Sequence, residues 1–412
     1  MGAYFDSLET RSSDDRGKAQ LKLLRDQLKH ARENSAHYAK VLADVDLEAL
    51  SSLSDLAKLP VTRKGDLMQA QQDNPPFGGL NATPTGDLLR IFMSPGPIAD
   101  PEGHGEDWWR MGRAAYAAGF RKGEIVLNCF SYHHTPAGHM FETAAKAVGC
   151  AVYPGGVGQT DAQVAAIAHY KIDGYVGTPD FLKNILDKAD SLGADISSLK
   201  KALVSGGPLF PSMREEYEAR GITVTQCYGT ADLGLVSYET DAREGMIVDE
   251  NVILEIVTPG TGDPVAPGQV GEILVTLLNN ADYPLIRFAT GDMTALLEGE
   301  SPCGRTNMRI KGWMGRADQR TKIKGMFVDP SQVARVAKAH SEIEKIRLEV
   351  DLVDNADLMT IHVETDQASD DLKAAILETV KSEIKLRGDI KFAAVGSLPN
   401  DGKVIDDIRK FD

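Results

Sequence analysis

Cysteine is scarce and scattered. The chain has four in 412 residues, at Cys129, Cys150, Cys227 and Cys303, and no CxxC pair. That spacing argues against a disulfide framework and for a reduced, cytoplasmic protein. Positive charge is also in deficit, with 45 Lys and Arg against 60 Asp and Glu and a net charge of −15. A polyanion would meet net repulsion, so neither nucleic acid nor an anionic membrane is expected as a general partner. No apolar run approaches 18 residues, and the opening MGAYFDSLETRSSDDRGK lacks the basic-then-apolar pattern of a secretory signal. Internal repeats and low-complexity tracts are missing too. What is present is 42% hydrophobic residues, enough for sizeable cores in two or three domains.

Periodicity then divides the chain. Leu21, Leu24, Leu28 and Ala31 recur at helical spacing, predicting a helix over 15–45. Leu59-Pro-Val-Thr-Arg-Lys-Gly-Asp-Leu67 predicts a turn into a short helix. From about residue 90 short apolar runs (124–130, 150–153, 174–177, 202–205, 223–227) alternate with helical patterns (137–149, 160–171, 180–193, 210–220). Strand and helix repeating in this way predict a layered, mostly parallel α/β sheet, whose functional loops sit at the carboxyl ends of its strands. Beyond about 235 the helical patterns stop. Strands over 252–257, 271–278 and 283–297, divided by Pro/Gly turns, predict a small antiparallel sheet or β-barrel. The last part predicts a helix over 330–340, strands over 345–353 and 357–365, a helix over 370–387 and a strand over 389–395: a compact α+β domain. The expected architecture is a large N-terminal domain, 1–317, and a small C-terminal one, 318–412.

Between them lies Gly315-Arg-Ala-Asp-Gln-Arg-Thr-Lys-Ile-Lys-Gly-Met-Phe-Val-Asp-Pro-Ser-Gln-Val333. Read alone it is either a charged hairpin between two units or a hinge carrying ligand-binding residues. Three other stretches present chemistry on loops. Tyr228-Gly-Thr-Ala-Asp-Leu-Gly234 closes the fifth α/β strand with a hydroxyl and a carboxylate, suited to a nucleotide or a magnesium ion, or simply to a turn. Asp292 ends Leu285-Ile-Arg-Phe-Ala-Thr-Gly-Asp292, where a carboxylate can accept two ribose hydroxyls. Lys403 sits on the Gly-bracketed loop Gly396–Lys403.

Taken together and in this order, these pieces resemble the adenylate-forming enzymes, most closely the phenylacetate–CoA ligase-like branch, over the span from Leu59 to Lys403. The resemblance rests on Gly155-Gly-Val-Gly-Gln-Thr160, Tyr228–Gly234, Arg287–Asp292 and Gly315–Asp318 with Pro330-Ser-Gln332. It implies an enzyme that turns a carboxylate and MgATP into an acyl-adenylate and pyrophosphate, then passes the acyl group to coenzyme A. By position, Tyr228 matches the aromatic residue at the adenine, Thr230 a hydroxyl near the phosphate and Asp292 the acid on the ribose. Gly229, Ser205, Gly206 and Gly207 fall on the AMP-binding loops. Arg316 matches an arginine reaching ribose and phosphate. Asp318 matches the hinge, Gly325 the glycine at the thiol tunnel, and Lys403 the lysine that bridges carboxylate and α-phosphate. Asp232 stands where the family has a glutamate, as a catalytic and magnesium-binding acid. An aromatic acid is expected against Tyr132, His133 and His134 with Gly155 and Gly156. The resemblance leaves a homodimer open.

Three departures accompany it. The family's phosphate loop is a Ser/Thr/Gly-rich run ending in lysine; here the matching stretch reads Phe92-Met-Ser-Pro-Gly-Pro-Ile-Ala-Asp-Pro-Glu102. Ser94 and Gly96 persist, Pro95 and Pro97 offer no amide donor, and Asp100 stands near the place of the lysine. Ala231 precedes Asp232 in place of a hydroxyl residue. Cys303 alone remains of a zinc set found in some relatives, so no zinc is expected. These departures keep two alternatives in view: an adenylating enzyme that forms amides, and a homologue that binds an aryl acid, AMP or CoA without adenylating.

Overall fold

The computed structural model describes residues 3–94, 98–207, 209–315, 317, 321–324, 326–328, 330–353, 356–398 and 404–409. It divides into two compact units, Met1–Met314 and Gly315–Asp412. The single helix expected over 15–45 is two, Ser13–Asn34 and Ala36–Val41. Ser12 caps the first by accepting from the Asp15 amide. Ser35 interrupts it: its hydroxyl donates to the Gly79 carbonyl at 2.8 Å and accepts from the Tyr38 amide, which starts the second helix. Leu24, Leu28 and Ala31 face the core as their spacing predicts.

A nine-stranded sheet forms the centre of this unit. Its five parallel strands are Ile125–Asn128, Ala151–Pro154, Gly174–Gly177, Lys201–Val204 and Thr223–Thr230. The helices Ala137–Ala147, Thr160–Tyr170, Pro179–Leu192 and Pro211–Ala219 connect them, matching the alternation in the sequence. Val126, Val176, Leu203 and Val224 are buried, as a sheet covered on both faces requires. Past Thr230 the chain reverses through residues 231–233 into Gly234–Tyr238, which pairs antiparallel with Thr223–Thr230. Gly234 is needed there: its φ is +70°, and a Cβ would stand 2.5 Å from the Trp109 carbonyl oxygen.

Of the small antiparallel sheet or β-barrel expected here, the described residues form a sheet, in the open order Thr62–Arg63, Phe288–Thr294, Gly271–Leu277, Val252–Val257. Thr62–Arg63 enters parallel to Phe288–Thr294. The strand expected from Tyr283 begins only at Phe288, because Asn280 Oδ1 holds the preceding chain in a turn by accepting from the amides of Asp282 and Tyr283. The stretch read as a phosphate loop includes a two-stranded hairpin, Arg90–Ser94 with Ile98–Glu102, in which Phe92 pairs with Asp100. Among the described residues no helix is long and apolar enough to cross a membrane.

In the second unit the hinge candidate contains the hairpin Thr321–Ile323 with Met326–Val328, followed by the helix Pro330–Lys338. A four-stranded sheet (Asp389–Ala393, Ala356–Glu364, Lys345–Val353, Ile405–Asp407) packs with that helix and Asp370–Glu383 over Val336, Leu348, Ile361 and Ile376. Arg409 ties the end of the sheet to the hairpin by donating to the Lys322 carbonyl and to Asp357 and Asp407.

Candidate functional site

The parallel strands deliver their carboxyl ends to one edge of the sheet, and most of the described candidate residues lie there. Ser205 follows the strand Lys201–Val204, and its hydroxyl donates to the Cys227 carbonyl at 2.9 Å, tying two strand ends together. Tyr228 lies one residue further. Its hydroxyl donates to Asp292 Oδ2 at 2.8 Å, joining residues 64 positions apart in sequence. Asp292 belongs to Phe288–Thr294, a strand of the second sheet, so the bond marks where the two sheets meet. The other oxygen of Asp292 accepts from the Trp313 indole N–H at 3.0 Å. Nothing in the sequence around Trp313 marks it for this part. Thr230 Oγ1 accepts from the Leu233 amide and fixes the turn that presents Asp232. Gly206 and Gly207 leave the neighbouring wall open, with no atom closer than 3.5 Å to a built Cβ.

Asp232 is buried, 1% exposed. Its Oδ2 contacts the Lys64 ammonium, which stands 168 positions earlier at the start of the helix Lys64–Asp73. Burial opposes the charge on Lys64, yet Asp232, and behind it Asp100 and Asp292, hold its ammonium above the ordinary lysine value. The same helix grips the hairpin: Gln71 donates to the Ala99 carbonyl at 2.9 Å and accepts from the Ala99 amide at 2.7 Å. Asp100 is thereby set beneath the site, with none of its surface exposed. Burial and then the adjacent Asp232 push its carboxyl well above the usual carboxylate range; Ser94 and Lys64 oppose this less strongly. Lys64 lies in Leu59–Leu67, where the resemblance begins and not in a stretch on which it rests, and no spacing rule links it to Asp232.

On the other side, Asn128 donates to the Tyr132 hydroxyl at 2.8 Å and to the Gly138 carbonyl at 2.7 Å, so the loop after its strand is rigidly held. Phe130 stacks on Phe141 with centroids 4.3 Å apart. His133 and His134 are exposed; the imidazole packed on the Tyr132 ring is His139, at 5.2 Å. Gly155 and Gly156 are half-buried, their carbonyls bonded by Gln163. This loop therefore offers an aromatic, hydrogen-bonded wall built from Phe130, Tyr132 and His139. Gly96, Arg316, Asp318, Gly325 and Lys403 lie outside the described residues. Cys303 is half-buried beside Ser301, and the described residues contain no group of three or more His, Cys, Asp or Glu side chains able to hold a metal ion.

The arrangement suits a nucleotide: a carboxylate for paired hydroxyls, an aromatic ring beside it and, further along, a buried acid with an unbonded oxygen, Asp232 Oδ1. Such an oxygen is a fit for a cation. Comparison with known proteins gives the same direction. The family described as AMP-binding enzyme matches residues 106–280. A phenylacetate–coenzyme A ligase of Aromatoleum evansii is 31% identical over 402 residues, covering 92% of this chain and 90% of its own. Another, of Pseudomonas putida, is 32% identical over 379 residues, covering 88% and 84%. The fold is that of a 2-hydroxyisobutyryl-CoA ligase solved with 2-HIB-AMP and CoA, with a TM-score of 0.74 at 23% identity over 98% of this chain and 92% of that one.

Proposed function

Given that the chain belongs to the phenylacetate–coenzyme A ligase family of AMP-binding enzymes, we propose that it activates a carboxylic acid with ATP and transfers the acyl group to coenzyme A. The observation that carries this reading is the Tyr228–Asp292 pair at the meeting of the two sheets, with Asp232 and Lys64 beyond it. Asp292 accepts the ribose hydroxyls and Tyr228 lines the adenine. Thr230 stands by the α-phosphate. Asp232 would hold the magnesium ion, which supplies positive charge to the phosphates. The acid lies against Phe130, Tyr132 and His139, so an aromatic acid is the favoured substrate. Holding its carboxylate in line with the α-phosphorus is mainly a positioning task. Lys403 then stabilises charge on that phosphate, and rotation about Asp318 exchanges it for the thiol at Gly325.

Pyrophosphate release across a panel of aryl acids with MgATP tests the reading, with thioester formation on adding CoA. No release with any acid, while AMP still binds in a calorimeter, would favour a non-adenylating binder. Acyl transfer to hydroxylamine but not to CoA would favour the amide-forming alternative. Lys403→Ala is expected to abolish adenylation but to spare thioester formation from a supplied acyl-adenylate. Equal loss of both half-reactions would overturn the domain exchange. A smaller effect is expected at Trp313, which shares the acid intended for ribose. Trp313→Phe removes a bond that must be exchanged on binding, so AMP affinity measured by calorimetry should rise about two- to fivefold. Weakened binding would mean that the indole itself contacts the nucleotide.

A further inference from the structure

The turn that carries Asp232 is fastened to the loop around Arg110. Leu233, the residue after Asp232, is fixed through both of its backbone polar groups. Its amide donates to Thr230 Oγ1 at 3.2 Å, and its carbonyl accepts from Arg110 Nη2. The same Nη2 reaches the Leu235 carbonyl at 3.3 Å, and the Leu235 amide donates to the Trp109 carbonyl at 2.9 Å. Arg110 thus spans the reversal through which the chain leaves Thr223–Thr230 and enters Gly234–Tyr238. Its own backbone is left-handed, with φ at 62°, a conformation that a residue with a side chain keeps only where its surroundings over-determine it. Asp107 supplies that constraint by accepting from the amides of Met111 at 2.9 Å and Gly112 at 2.8 Å.

The charge of Arg110 has its partner elsewhere. Nε faces Asp249 Oδ1 at 3.4 Å, with the two side chains 13% and 0% exposed. The other oxygen of Asp249 faces Arg113 Nε at 3.2 Å. Asp249 is fixed in its turn, because its amide donates to the Val236 carbonyl at 2.9 Å and its Oδ1 accepts from the Asn251 amide at 3.0 Å. The guanidinium is therefore anchored at Nε, and its planar fork aims Nη2 at two carbonyls of the turn, a division of donors that an ammonium cannot copy. We infer that Arg110 is a positioning residue for Asp232: by fixing the backbone at Leu233 and Leu235 it sets where the Asp232 carboxylate stands against Lys64 and the phosphates.

The inference rests on the ligase reading for what Asp232 does. Adenylation depends on placement, and a misplacement of about 1 Å can cost about a hundredfold in rate. An arginine that acts only through Asp232 loses its effect once that carboxylate is removed. One that merely holds the fold costs the same with or without it.

A double-mutant cycle decides between them. Pyrophosphate release, and calorimetric binding of a non-cleavable α,β-methylene ATP analogue with Mg²⁺, are measured for the wild type, Arg110→Ala, Asp232→Ala and the double variant. Arg110→Ala should slow release about tenfold or more and weaken the analogue severalfold. In the Asp232→Ala background the same change should cost less than about twofold in either measurement. Thioester formation from a supplied acyl-adenylate should stay within about twofold of wild type, and Arg110→Lys should recover only part of the loss. If Arg110→Ala does not unfold cooperatively, Arg110→Lys takes its place in the cycle. Equal losses in both backgrounds, a matching loss of thioester formation, or a lowered unfolding temperature with adenylation intact overturns the inference. The two readings fail separately. Pyrophosphate release by the wild type, with equal losses in both backgrounds, keeps the ligase and removes the role of Arg110. No release with any acid, while analogue binding shows the coupled cycle, keeps that role and removes the ligase.

Discussion

Arg287→Met should destabilise the first unit by about 3–5 kcal/mol, the range for removing one partner of a buried ion pair. The side chain is 2% exposed and grips Glu255 with two parallel bonds of 3.0 Å, from Nε to Oε2 and from Nη2 to Oε1. Its remaining donors reach the carbonyls of Leu59 at 2.6 Å, Gly262 at 2.7 Å and Ala57 at 3.3 Å. One guanidinium thus fastens the turn before Thr62–Arg63 and the turn after Val252–Val257 to the strand it precedes. Its own backbone is left-handed, with φ at 44°, a conformation that the five bonds outweigh. Methionine keeps the bulk and removes every donor, leaving the half-buried Glu255 without its counter-charge. Burial already pushes the Glu255 carboxyl above the ordinary value, with Arg287 opposing. In the variant the carboxyl rises further and takes up a proton in mild acid. The loss should therefore be greatest near pH 8 and shrink toward pH 5. Urea unfolding of wild type and variant across that range measures it. A loss below about 1 kcal/mol, or one that grows as pH falls, would show that the pair is not a fastening. Arg287→Lys keeps a charge but not the fork, and should recover only part.

Arg287 also shows where the sequence was informative and where it was not. Its stretch, Arg287–Asp292, was recognisable as part of a nucleotide-binding pattern, but nothing in the string separated a residue that serves the ligand from one that holds the strand. The five parallel strands were legible because each is an apolar run bounded by turn residues, with a helix-period segment before the next. The second unit was legible for the same reason. The hairpin over Arg90–Glu102 was not, because Pro95, Gly96, Pro97 and Pro101 read as loop, and its pairing depends on Gln71 from another element. Nor could the string place Lys64 against Asp232, or Tyr228 against Asp292. Those meetings depend on how two sheets pack, and no local period encodes that. The candidate residues were read off as names along the chain; the side chains that hold them, Asn128, His139 and Trp313, were legible only in three dimensions.

Asp292→Ala is expected to weaken AMP binding by about a hundredfold. Hydrogen bonds to a charged acceptor contribute about 1.5–3 kcal/mol each. Loss of two, partly offset because the free protein already bonds Tyr228 and Trp313 to the same oxygens, leaves about 3 kcal/mol, or two decades. Calorimetric titration with AMP measures this directly, and KM for ATP should rise in parallel if the ligase reading holds. An affinity within threefold of wild type would remove Asp292 from the nucleotide site. Tyr228 then resolves by a cycle. Tyr228→Phe keeps the ring for the adenine and deletes the hydroxyl that orients Asp292, so it should weaken AMP binding severalfold in the wild-type background. If that hydroxyl acts only by holding the carboxylate, the same change in the Asp292→Ala background should cost nothing more. An equal loss in both backgrounds would mean that the Tyr228 hydroxyl meets the nucleotide itself.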